Sequence, residues 1–178
     1  MYFKVGEKYA DPELYYLQEL CGLLDLKLAE IAEKISHSYD PESDGLLDYA
    51  EYFMGTGLCA MQRYILDVLD MKKIKKIDVL NLGVKFNEGT SIIELINAAA
   101  NWWKHEPEWP FPLEYEKSSK QTKETLDLVL GNSAYPYVFS NFLASINPEK
   151  ELSVSALIPY LVEWRSCVHT YYQSRKNV

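Results

Sequence analysis

Cysteine, histidine and arginine are all scarce in this chain of 178 residues, with three of each. Cys21, Cys59 and Cys167 are odd in number, far apart and without a CxxC pair. That excludes a disulfide framework and points to reduced core residues of a cytoplasmic protein. His37, His105 and His169 are too widely separated to make a recognisable zinc set. With only Arg63, Arg165 and Arg175 to contribute guanidinium groups, the chain is poorly equipped to bind nucleic acid. No apolar run approaches the ~18–20 residues of a membrane span. Charges between Met1 and Lys8 stand where a secretory signal would carry its apolar stretch, so the expectation is a soluble protein of the cytoplasm. A P-loop, a GxSxG elbow and a dinucleotide fingerprint are all missing. No residue pattern calls for catalysis or requires a cofactor.

What is present is an ordinary globular balance, 48% hydrophobic and 25% charged. At this length one domain, residues 1–178, buries about 70% of its unfolded surface and needs no staples. The formal charge of −8 is unevenly spread. Residues 1–60 hold twelve acids against four bases, and the remaining 118 residues balance at fourteen of each. Such a field repels nucleic acid and anionic membrane and steers a basic partner toward it. It also serves, more plainly, as a solvated face that keeps the chain soluble.

The periodicity is helical throughout. Asp11-Pro12 is a helix start, an acid at the N-cap and a proline in the first turn. Leu14, Leu17, Leu20, Leu24, Leu28, Ile31 and Ile35 then follow at steps of three and four, one apolar stripe on a long helix. Leu23 and Leu26 widen it and predict burial on more than one side. A second helix is expected from about Leu46 to Met71. Its Gly55-Thr56-Gly57 weakens an isolated helix by roughly 1 kcal/mol per glycine, so a close-packed crossing is expected there. Residues 78–86 are the least helical, a short strand or extended connection. Ser91-Ile92-Ile93-Glu94 is a capping box. Its helix runs to about Lys104, before Pro107, Pro110 and Pro112 forbid more. Helices follow over Ser118–Leu130, stopped by Gly131, over Pro136–Ile146, and from Ser153 or Ser155 to the end. The expected fold is an all-α bundle of about six helices with little or no sheet.

Three local patterns could carry function. Asp40-Pro-Glu42-Ser-Asp44-Gly45, followed by Leu47, Asp48 and Glu51, lies between two helices. It resembles a calcium-binding EF-hand loop, with acids at positions one, three, five, nine and twelve and glycine at six. That resemblance implies a Ca²⁺ site formed by Asp40, Glu42, Asp44, Asp48 and Glu51. A helix-to-helix turn also collects Asp, Ser and Gly as caps and turn formers. The second pattern gathers Trp102, Trp103, His105, Glu106, Glu108 and Trp109 at a helix end. His105 with Glu106 or Glu108 could form an acid–base pair. The tryptophans either plug the core or form an aromatic recognition patch. In the third, Arg165-Ser-Cys-Val-His169 together with Asn101 and His105 resembles the HEPN family. Its members are all-α and many are ribonucleases using an Arg and a His a few residues apart; here the spacing is one short of the usual range.

Fourteen tyrosines against six phenylalanines suit a surface that is half apolar and half wet. In size, acidity and helicity the whole chain resembles the helical immunity proteins of bacterial contact-dependent inhibition systems. The resemblance implies a non-enzymatic inhibitor that covers a basic, nuclease-like toxin with carboxylates and aromatics. Asp40, Glu42, Asp44, Asp48 and Glu51, with the 102–109 cluster, are the expected contact residues.

Overall fold

The computed structural model describes residues 2–6, 8–70, 72–109, 117–131, 135–147 and 152–176. Six α-helices are found among them: α1 Pro12–His37, α2 Leu46–Asp70, α3 Ile92–His105, α4 Lys117–Leu130, α5 Val138–Ile146 and α6 Ile158–Lys176. The all-α expectation holds, and so do most of the helix boundaries. Asp11 caps α1 through Leu14 N at 3.1 Å. Ser91 and Glu94 close the reciprocal capping box at the start of α3. Gly131, at φ +64°, ends α4 in the left-handed conformation that favours glycine.

α3 is the central element. Ile92, Ile93, Leu95, Ile96 and Ala98–Ala100 are buried around nearly its whole circumference. α2, α4, α5 and α6 all pack on it. α1 lies along α2 and buries Leu17, Cys21, Leu24, Leu28 and Ile31. α6 contributes Leu161, Trp164 and Val168, and the Trp164 indole donates to the Val79 carbonyl at 2.8 Å.

Gly55 and Gly57 leave α2 unbroken, as a close crossing requires. A Cβ on Gly55 would stand 2.5 Å from the Trp103 ring, and one on Gly57 2.5 Å from Val154. The glycines are seats for two side chains, so helix propensity yields to packing.

One expectation is corrected, and one pair of alternatives is decided. Leu23 and Leu26 are 65% and 67% exposed. They lie away from the Leu17–Leu24–Leu28 stripe, and α2 covers only that stripe, so α1 is buried on one side. The segment 78–86 forms no strand; it begins in a 3₁₀ turn, Lys76–Asp78, and holds one isolated bridge, Lys85 to Ser91. The sheet is elsewhere, an antiparallel hairpin of β1 Phe3–Val5 and β2 Lys8–Ala10. Its turn glycine, Gly6, has φ +60°. The hairpin presses Tyr2, 1% exposed, into the core beside α6.

Candidate docking surface

The turn between α1 and α2 brings the acids of residues 40–48 together at one end of the helix pair. Asp40 accepts from Ser43 N at 3.1 Å and Ser43 Oγ at 2.7 Å, and these bonds hold its carboxyl below the usual carboxylate range. Asp44 accepts from Ser38 Oγ at 2.6 Å. Gly45, at φ +68°, lets the chain turn into α2. Asp40, Glu42, Asp44 and Asp48 are all exposed. Among the described residues no lysine or arginine pairs with any of the four. The reason is compositional: residues 35–62 contain neither lysine nor arginine.

Tyrosines frame these acids. Tyr39 is fully exposed, and Tyr49 and Tyr52 present 41% and 57% of their surface. Tyr49 and Tyr52 both stand edge-on to Phe53, at centroid distances of 4.9 and 6.0 Å. Tyr52 also meets Trp103 edge-on at 5.1 Å. The Tyr137 phenol, its pKa raised by partial desolvation and by a hydrogen bond to Glu42, borders the same turn from α5. Lys27 of α1 lies over the Tyr49 ring and pairs with Glu30 at 2.7 Å.

The Tyr52–Trp103 contact joins the acidic turn to the aromatic cluster at the end of α3. Trp103 is half-buried between Gly55, Tyr52 and Phe139. Trp102 stacks edge-on with Trp109 at 5.1 Å. Both tryptophans of α3 are partly buried and pack against the core. His105, Glu106 and Glu108 are exposed. His105 Nδ1 lies 3.1 Å from Glu108 Oε2 on the exposed surface.

Glu51 is removed from this surface. Its carboxylate accepts from Phe139 N at 2.7 Å, Ser140 N at 2.8 Å and Ser140 Oγ at 2.6 Å, capping α5 from another helix. This also corrects the calcium reading. A twelfth-position glutamate must turn into the loop to close a Ca²⁺ shell, and Glu51 is held by α5 instead. Among the described residues no three His, Cys, Asp or Glu side chains stand close enough to share a metal ion. Asp25 acts like Glu51, accepting from Ser153 Oγ at 2.8 Å and Val154 N at 2.7 Å at the approach to α6. Sequence reasoning missed both roles, because a cap supplied across a hundred residues leaves no local pattern.

Arg165 is buried and His169 partly buried. The Arg165 guanidinium bonds Asp11 Oδ2 at 2.6 Å, with both side chains 5% exposed. It stacks over Tyr9 at 4.1 Å. Tyr64 donates to the same Asp11 oxygen at 2.7 Å. His169 completes a triangle of rings with Tyr2 and Tyr9, and burial, then Lys72 and Lys4, lower its pKa. Asn101 accepts from Gln62, while His105 faces Glu108. The four residues of the HEPN-like pattern are therefore not joined, and the N-terminal hairpin covers Arg165 and His169.

No described helix is long and apolar enough to cross a membrane. Against protein-family models, curated proteins and solved structures the chain finds no match, so its own residues carry the functional reading.

Proposed function

We propose that this is a non-enzymatic binding protein of the immunity or antitoxin kind. Its acidic, tyrosine-bearing end covers a basic, nuclease-like toxin in the bacterial cytoplasm. The single observation behind the reading is the exposed turn between α1 and α2, inside a stretch, 35–62, without lysine or arginine: four exposed carboxylates that no lysine or arginine pairs with among the described residues, with Tyr39, Tyr49 and Tyr52 beside them. Carboxylates of this kind raise association rates with a cationic partner, and tyrosines anchor interfaces at low entropic cost. Glu51, Trp102 and Trp103 support the surface from behind. Glu42, Asp44, Asp48 and the tyrosines face the partner.

The test uses the basic protein encoded next to this one. Co-expression should yield a complex by size-exclusion chromatography and relieve that protein's toxicity. Calorimetry should show affinity falling steeply from low to high salt. A neighbour that neither binds nor poisons cells overturns the assignment.

A further inference from the structure

A cavity of about 300 Å³ lies between α3, α4 and the 3₁₀ turn at Lys76–Asp78, remote from the acidic turn. Its walls include Lys76, Leu80, Glu94, Asn97, Asn101 and Thr125. The volume is at the small end of ligand pockets, enough for a compact molecule.

The wall is organised by Gln62, only 4% exposed. Its amide nitrogen donates to Asn97 Oδ1 at 2.9 Å and Asn101 Oδ1 at 2.8 Å. Its amide oxygen accepts from Lys104 Nζ at 2.5 Å. Asn97 Oδ1 also accepts from Lys76 Nζ at 3.1 Å. One buried amide therefore holds two asparagines and, through Asn97, positions the Lys76 ammonium.

The charges do not balance. Neither Lys76 nor Lys104 has a carboxylate partner among the described residues, although acids outnumber bases 26 to 18 in the chain. Burial, and then the charge of Lys104, lower the pKa of Lys76. The one acid on the wall, Glu94, is committed to Ser91 N at 2.9 Å and Asn81 Nδ2 at 2.8 Å. Each ammonium has three N–H donors and uses one. Asn97 and Asn101 give their oxygens to Gln62, so their NH₂ groups are donors with no partner among the described residues. One half-buried cation and two amide donors therefore share the wall of this cavity.

We propose that this cavity binds a small oxyanion-bearing metabolite, a compact carboxylate or phosphate ester, with Lys76 as its counter-charge and Asn97 and Asn101 as further donors. The site is independent of the docking surface, so either assignment can fail alone.

The test is calorimetric titration of the full chain with inorganic phosphate, with citrate and with chloride. Saturable one-site binding of phosphate, citrate or both supports the site, and which of them binds identifies the headgroup. K76M should weaken it about tenfold or more, the effect of losing a charge-assisted hydrogen bond. K75M, on the exposed neighbour, should leave it unchanged. N101D supplies an internal carboxylate, so it should abolish anion binding and raise the melting temperature, a readout that survives if a lysine variant folds poorly. Absence of saturable binding, equal response to chloride, or full binding by K76M and N101D overturns the proposal.

Discussion

Asp11 does three jobs at once: it caps α1, accepts from Tyr64 and neutralises the buried Arg165. Removing one partner of a buried ion pair leaves the other charge desolvated and alone, at a cost of about 3–5 kcal/mol. D11A should therefore lose about that much in urea denaturation, whereas D11N, which keeps the cap oxygen, should lose less. His169 makes the same corner sensitive to pH. Its folded pKa is lowered from the ordinary value near 6.5, so the folded state binds fewer protons than the unfolded chain. Its contribution is complete above pH 6.5 and is lost as pH falls through the lowered value. Urea midpoints should drop on acidification in that window, and H169F should flatten the drop. The N-cap role of Asp11 was legible as Asp-Pro before an apolar stripe. Its bond to Arg165 was not, because the two are separated by nearly the whole chain and no local spacing encodes their meeting.

At the scale of the helix, two glycines make opposite predictions. Gly22 lies on the exposed side of α1 and a Cβ there meets nothing within 4 Å. G22A should stabilise by about 0.5–1 kcal/mol through backbone entropy. G55A would drive a methyl into the Trp103 ring, so the same gain is outweighed by overpacking of about 1–3 kcal/mol. Chemical denaturation of both variants checks the pair, and a stabilised G55A would contradict the seat assigned to Trp103. Glu51 belongs to the same scale. E51A should cost about 1–2 kcal/mol by uncapping α5. Millimolar calcium should leave the melting temperature of the parent protein unmoved. Helix positions followed from caps, prolines and periodicity in the residues themselves. The exposure of Leu23 and Leu26 did not, since a stripe predicts a buried side without fixing its width. The hairpin at residues 3–10 is too short for alternation to register.

Across the whole molecule the charge asymmetry divides into two populations. Asp11, Asp25 and Glu51 act inside, as anchors between distant segments. Asp40, Glu42, Asp44 and Asp48 remain outside at one end. The net charge was readable from composition, but that division depends on which carboxylates find buried amides. Replacing the outer four by Asn and Gln should leave stability within about 1 kcal/mol, as surface changes do. It should slow association with a basic partner and flatten its salt dependence. Stopped-flow binding at two ionic strengths measures both, and unchanged rates would place the contact elsewhere.

Amine-directed reagents have nothing to react with between residues 35 and 62, because no lysine lies there. Succinimidyl cross-linking of anything seated on that end therefore depends on flanking amines such as Lys27 and Lys34. Carbodiimide coupling, which joins a carboxylate directly to a partner's amine, reads it instead. Trypsin then releases the conjugated region as a single peptide bounded by Lys34 and Arg63.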